Sequence, residues 1–540
     1  MGETTLTGLM MDDYPLSLTA LVERGELFTP GRKVVYRRPD GNVHRTTMGE
    51  CAGRARRLGS ALAELGIGAG DRVGTLMWNQ PEHLEAYYAV PLMGAVVHTL
   101  NPRLHPEELG FIASDAEDRA LIIDESLLPV LDSFRDRHEF EHVIVVSHSG
   151  QTPDGMIDYG SLIDNHEPMS WPAADERRAC AICYTSGTTG RPKGVLYSHR
   201  ALVLHSFMAA LPDQMKISTR DTVLPVVPMF HANAWGIPYT ATMVGASLVL
   251  PGPKLDAESV LDLLADEGVT LTAGVPTVWM AMLKAIEAEP GRWDLSALKR
   301  LLVGGSAVPK SMIEGYQKHG LAILQGWGMT ETSPLASTSI LPRELDDAPA
   351  DEQFEYRARQ GPPAPFVDIR ARGDDGELIP WDDQAMGELE VRGPWVAAAY
   401  YRGTGAEKFT EDGWFQTGDV VRLDHRGSIR ITDRAKDLVK SGGEWISSVD
   451  MENLLMGHPA VAEAAVIAVP DEQWAERPMA IVVLKDGAEV SPDDLRQHLS
   501  AHFAKWQLPE RVEYIAEIPR TATGKFKKTA LREQFVETAV

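Results

Sequence analysis

Stretches with apolar residues at helical spacing alternate along most of this chain with short, unbroken apolar runs that read as buried strands. Thr47 to Leu65 is helix-like, the turn Gly66-Ile67-Gly68-Ala69-Gly70 follows, and Val73 to Met77 is an apolar run. Similar units recur around residues 84–98, 196–212, 241–250 and 257–275. Helix, glycine-rich turn and apolar run in repetition predict an α/β fold of layered sheets with helices on their faces. There is no fixed-period repeat. The acidic, polar stretch Pro342 to Gly361 reads as a surface excursion. After Asp433 a short charged segment leads into about a hundred residues with patterns of their own. Apolar runs at Ala464 to Val469 and Met479 to Leu484, with helices around Val449 to Leu455 and Pro492 to Phe503, predict a compact sheet with helical cover. The expected organisation is a large N-terminal multi-sheet α/β domain over 1–433, a linking segment at 434–437 and a small α+β domain over 438–540.

Bulk properties narrow the function. A chain of 540 residues exceeds one hydrophobic core, in agreement with two or more domains. With 77 acidic against 52 basic residues the net charge is −25, which argues against non-specific nucleic-acid binding. An anionic ligand therefore needs local cations and backbone amides. Three cysteines exclude a disulfide framework and fit a reducing compartment. Cys180 and Cys183 form a CxxC without a second Cys/His pair at zinc spacing, so they read as buried strand or loop residues. No run approaches the length of a membrane span, and Met1-Gly2-Glu3-Thr4 lacks the basic start of a secretion signal. A cytoplasmic location is expected.

Candidate chemistry centres on Tyr184-Thr185-Ser186-Gly187-Thr188-Thr189-Gly190-Arg191-Pro192-Lys193, a hydroxyl- and glycine-rich loop after an apolar run. Glycines let backbone N–H groups approach a polyphosphate, and Thr, Ser and Lys193 add donors and charge. The spacing is not that of a Walker A loop, because Gly187 is followed by Thr-Thr-Gly-Arg and then Pro192.

With its flanks, this loop resembles the phosphate-binding signature of the adenylate-forming superfamily, which includes acyl-CoA synthetases, luciferases and peptide-synthetase adenylation domains. Further signatures follow in that superfamily's order: Gln325-Gly326-Trp327-Gly328-Met329-Thr330-Glu331, Gly387-Glu388-Leu389, Thr417-Gly418-Asp419, Asp433-Arg434-Ala435-Lys436-Asp437 and Pro519-Arg520-Thr521-Ala522-Thr523-Gly524-Lys525. The resemblance implies ATP-driven activation of a carboxylic acid followed by transfer to CoA. It assigns the nucleotide phosphates to Thr185, Ser186, Gly187, Thr188, Thr189, Gly190, Lys193 and Thr330. Adenine falls to Gly305, Gln325, Gly326 and Trp327, and the ribose hydroxyls to Asp419. Arg434, Lys436, Lys440 and Trp445 complete the ATP/AMP set. Mg²⁺ is assigned to Thr185 and Glu331, although Glu331 also suits a helix cap. Trp327 stands where tyrosine or phenylalanine is frequent. Lys525 matches the mobile lysine that bridges acyl carboxylate and α-phosphate, and Lys436 the hinge about which the small domain rotates. After rotation, Lys440, Gly442, Gly443 and Glu444 line a passage for CoA.

The segment Pro228-Met229-Phe230-His231-Ala232-Asn233-Ala234-Trp235 is expected to wall the acyl pocket, with His231 orienting the acid and Trp235 closing a tunnel beside Ala232. Val303 and Thr332 are expected near its end. This segment, with Gly-Pro-Trp at 393–395 and Ser441 to Asp450, looks most like bacterial fatty-acid–CoA ligases and 3-methylmercaptopropionate–CoA ligases. That group includes homodimers, so a homodimer is expected. The alternatives are a non-catalytic nucleotide-binding relative and an adenylating enzyme with a non-CoA acceptor.

Overall fold

The computed structural model describes residues 11, 13–185, 191–441, 444–471, 474–521 and 525–536. The first helix–turn–strand unit forms as its pattern implies. The helix Met48–Glu64 begins at Thr47, whose hydroxyl accepts from Glu50 N while the Glu50 carboxylate accepts from Thr47 N. Two donors that the helix leaves unpaired are thereby satisfied. The other units become the helix Pro81–Leu92 with strand Val96–Thr99, strand Gly194–Ser198 with helix His199–Ala210, helix Ile237–Val244 with strand Ser247–Leu250, and helix Ala257–Asp266 with strand Leu271–Gly274.

These units assemble into two large sheets. A seven-stranded sheet has the order Ile157–Asp158, His142–Val146, Asp118–Asp124, Arg72–Leu76, Val96–Thr99, Ala179–Tyr184, Gly194–Ser198. An eight-stranded sheet has the order Leu335–Thr338, Ala322–Gly328, Arg300–Val303, Leu271–Gly274, Thr222–Pro225, Ser247–Leu250, Lys33–Arg37, Val43–Thr47. Inner pairs are parallel, as is the edge strand Ile157–Asp158, whereas the edge strands Gly194–Ser198, Leu335–Thr338 and Val43–Thr47 pair antiparallel. Parallel strands need cover on both faces, which explains their unbroken apolar runs. The helix Pro81–Leu92 is buried along its whole length, charged residues included. Its Glu85 carboxylate accepts from Arg54 Nε at 2.8 Å and Tyr159 Oη at 2.6 Å, and burial pushes its pKa up to about 7. Asn79 ties the sheets together, donating to the carbonyls of Pro225 (2.9 Å) and Val227 (3.0 Å).

A four-stranded antiparallel sheet, Asp368–Arg372, Gly387–Arg392, Phe415–Leu423 and Ile429–Arg434, completes the large domain. The stretch 342–361 is more ordered than its polarity implies, because it contains the helix Ala350–Arg357, anchored by buried Tyr356. Beyond it lies a smaller domain. Its strands Val461–Asp471 and Ala475–Leu484 pair antiparallel, with Arg511–Tyr514 parallel beside the second. The helices Ser448–Gly457 and Pro492–Leu499 cover them around Val439, Met451, Val466 and Leu495, a core separate from that of the large domain. The second helix stops four residues short of Phe503, which packs against this core from outside the helix. Cys180 and Cys183 are free and buried in a strand, as their spacing implies. No helix among the described residues is long and apolar enough to cross a membrane.

Candidate active site

A cavity of about 510 Å³ opens where strands of the eight-stranded sheet end. Val226 to Pro228, Phe230 to Ala232, Gly274-Val275, Gly304-Gly305 and Gly326 to Glu331 line it, and each segment lies at or just beyond the carboxyl end of a strand. Ligands of open α/β sheets bind at such carboxyl ends. Thr417-Gly418, Arg434 to Lys436 and, from the smaller domain, Lys525 close the other side. The cavity thus gathers Thr185, Lys193, His231, Ala232, Trp235, Gly305, Gly326, Trp327, Thr330, Glu331, Arg434, Lys436 and Lys525 from the sequence expectations.

Thr185 N donates to the Lys193 carbonyl at 3.0 Å and Lys193 N to Thr185 Oγ1 at 3.2 Å. Ser186, Gly187, Thr188, Thr189 and Gly190 lie outside the described residues. Lys193 Nζ sits 5.1 Å from the Tyr400 ring centroid and 3.6 Å from Glu407 Oε1. Glu331 is buried in a short turn after the strand Ala322–Gly328, and it does not cap a helix: Tyr400 Oη donates to its Oε1 at 2.5 Å. Burial raises the Glu331 pKa, opposed by the Tyr400 hydrogen bond and the nearby Arg434 and Lys525 charges. The remaining carboxylate oxygen and the Thr185 hydroxyl are hard oxygen donors, the kind Mg²⁺ takes alongside phosphate oxygens and water.

Strand register sets the position of Asp419. Asp419 and Arg434 face each other on adjacent antiparallel strands, and Arg434 Nε lies 2.7 Å from Asp419 Oδ1. Trp327 Nε1 donates to Asp419 Oδ2 at 2.9 Å. Both oxygens are therefore engaged, and Asp419 stands behind the cavity surface rather than on it. Gln325 is also off the surface, in the strand, with its buried Oε1 unpartnered among the described residues.

Lys525 reaches in over a glycine. A Cβ on Gly305, whose φ is +89°, would stand 3.8 Å from Lys525 Cε and 3.3 Å from Val275 Cγ1. Burial, with Arg434 nearby, lowers the Lys525 pKa to about 8, against the pull of Asp419 and Glu331. Thr521 N donates to the Lys525 carbonyl (2.7 Å) and Lys525 N to Thr521 Oγ1 (3.1 Å).

Val226, Val227, Phe230, Leu255, Val275 and Val278 form an apolar wall of the cavity. His231 and Trp235 enter it through an unusual backbone: Ala232, Asn233, Ala234, Trp235 and Gly236 all have positive φ, from 43° to 72°. A left-handed turn of L-residues costs roughly 1 kcal/mol or more per residue, and such strain concentrates at working sites. Burial and Lys525 lower the His231 pKa to about 4, so its imidazole is neutral near pH 7. The Trp235 ring lies 3.1 Å from where a Gly304 Cβ would stand, so only glycine leaves it room. Val303 and Thr332, expected near the pocket, are fully buried and do not line the cavity.

Lys440 and Trp445 also stand apart from the cavity. They face each other on the hairpin of Val439–Ser441 and Glu444–Ile446, the ammonium 5.4 Å from the indole. Gly442, Gly443 and the Glu444 side chain lie outside what the structure describes. Sequence reading missed Tyr400, Arg103 and Lys408, all in the cavity wall, where Arg191 of the candidate loop also stands. The first lies 69 positions from the carboxylate it holds, a separation at which no local pattern signals contact.

The chain matches the family model described as AMP-binding enzyme over residues 25–401 and that of the AMP-binding enzyme C-terminal domain over 450–525. It belongs to this family, and it is an AMP-forming acid–thiol ligase whose small-molecule substrates are a carboxylic acid, ATP and CoA. Among curated relatives, a long-chain-fatty-acid–CoA ligase of Thermus thermophilus is 48% identical over 530 residues, covering 97% of this chain and 96% of that one. A 3-methylmercaptopropionyl-CoA ligase of Ruegeria lacuscaerulensis is 44% identical over 537 residues, covering 98% and 99%. In structure, the chain resembles the anthranilate CoA ligase AuaEII in complex with anthranoyl-AMP, with TM-score 0.86 and 26% identity over 97% of this chain and 98% of the other.

Proposed function

We propose that this ligase activates an aliphatic acid, a fatty acid or a short acid such as 3-methylmercaptopropionate, at the cavity described above. The observation that carries the reading is Lys525, delivered by the smaller domain into a cavity that also holds Thr185, Glu331 and Arg434 beside an apolar wall. An acid carboxylate oxygen attacks the ATP α-phosphorus, a new P–O bond forms and pyrophosphate leaves. Lys525, as ammonium, holds the two anions together while that charge develops. His231, neutral, offers the acid a hydrogen bond, and Trp327 presents an aromatic face to adenine. The ribose diol takes Asp419 in place of Arg434. Thr185 and Glu331 hold Mg²⁺, which supplies charge neutralisation at the phosphates. In the second step the CoA thiol attacks the acyl carbon and AMP leaves. Rotation about 434–437 withdraws Lys525 and brings Lys440 and the 442–444 segment to the cavity.

We place the domain boundaries at 433 and 438 and the protein in the cytoplasm as a homodimer. Exposed Leu27, Phe28 and Phe207 on two packed helices support the dimer.

The test is ATP- and CoA-dependent AMP release across straight-chain acids from acetate to stearate, with 3-methylmercaptopropionate included and Lys525→Ala as control. Each buried methylene contributes roughly 0.8 kcal/mol, so a pocket that fits produces a steep rise with chain length and then a break. No acid-dependent release above the Lys525→Ala background overturns the reading.

A further inference from the structure

Three residues after Lys525 stands a second lysine that the chemistry above does not use. Lys528 opens the helix Lys528–Phe535, and its ammonium is almost wholly buried. It lies 2.6 Å from Glu452 Oε1 and donates to Ser448 Oγ at 2.6 Å. Glu452, Asp433 and Asp437 together keep it charged, raising its pKa against burial. Ser448 N in turn donates to Asp433 Oδ2 at 2.8 Å. Beside this cluster, Ser447 Oγ donates to the Thr432 carbonyl, and Arg430 pairs with Asp450 at 3.1 Å.

The partners divide by position. Arg430, Thr432 and Asp433 belong to the last strand of the large domain, whereas Ser447, Ser448, Asp450, Glu452 and Lys528 lie beyond 434–437. A rotation within 434–437 parts the two groups. A buried charge loses more than it gains when one partner goes, so the docked arrangement depends on the acid that the large domain contributes.

We propose that Lys528 is a positioning residue, and that its cluster with Glu452, Ser448 and Asp433 is a latch that docks Lys525 for adenylation and opens for thioester formation. This rests on the two-step reading above. Asp433→Asn keeps the side-chain shape and an acceptor for Ser448 N while removing the large domain's charge. Two half-reactions are read separately: acid-dependent exchange of labelled pyrophosphate into ATP, and thioester formation from supplied acyl-adenylate and CoA.

Asp433→Asn is expected to slow exchange by about tenfold, the order of one lost buried charge contact, while thioester formation holds. Lys528→Arg, which keeps the charge, is expected to retain exchange. If Asp433→Asn does not fold, the pair Lys528→Met with Glu452→Gln, which removes a buried charge and its partner together, serves with the same readouts and expectation. Equal loss in both half-reactions, or no change in either, overturns the latch. Wild-type protein with no exchange sensitive to Lys525→Ala overturns the ligase reading itself, a result distinct from an intact wild type with an indifferent Asp433→Asn.

Discussion

Asp419 is held by Trp327 and Arg434, and the indole N–H is the only part of that arrangement that a Trp327→Phe substitution deletes. The ring face persists, and one hydrogen bond to a carboxylate is lost. About 1.5 kcal/mol is at stake, so KM for ATP is expected to rise roughly tenfold with kcat little changed. An unchanged KM means that Asp419 does not depend on Trp327. Lys525 gives the pH dependence. With its pKa lowered to about 8 by burial and by Arg434, it is an ammonium below that pH and loses its charge above it. kcat/KM for ATP reports the free enzyme and is expected to fall on the alkaline side of about pH 8. His231, neutral down to about pH 4, contributes no limb between pH 5 and 7. Thr185, Glu331 and Lys525 were legible because each sits in an ordered local motif. Tyr400 was not, because its role arises only when it meets Glu331 in space.

The turn 232–236 shows how an element can defeat pattern reading. Its composition, two alanines, an asparagine, a tryptophan and a glycine, reads as ordinary core, yet its backbone is left-handed throughout. Gly236, at φ +72°, is enforced twice over, since a Cβ there would lie 2.7 Å from His205 Nδ1. Gly236→Ala is expected to destabilise the fold by roughly 2 kcal/mol through overpacking and strain, read as a lower melting temperature. Because Trp235 is its neighbour, the variant is also expected to change the preferred acyl chain length. An unaltered melting temperature and preference would show that the turn has slack. Regular elements were more legible. The units around 84–98, 196–212, 241–250 and 257–275 all form, because burial between layers demands the apolar runs by which they were recognised. Misjudged ends, such as the helix stopping at Leu499, reflect side chains like Phe503 that pack against the core without joining a helix.

At the scale of the molecule, the cavity exists because two domains share it: strand ends from one, Lys525 from the other. Sedimentation of the purified protein is expected to give about twice the 59.2 kDa chain mass, and a monomer at micromolar concentration would refute the homodimer. The sequence by itself determined the α/β layering, the division into a large and a small domain, and the choice of Thr185, Glu331 and Lys525, which the structure gathers at one cavity. Each depends on short-range periodicity or on a motif whose residues act within one turn of chain. Only the tertiary structure decided that Asp419 is held by Trp327 and Arg434, that Glu331 is held by Tyr400, that Gln325, Lys440 and Trp445 stand off the cavity, and that Asp433 faces the cluster anchoring Lys525. Those facts are distances between residues far apart in the chain, set by strand register and domain docking, and no local pattern encodes them.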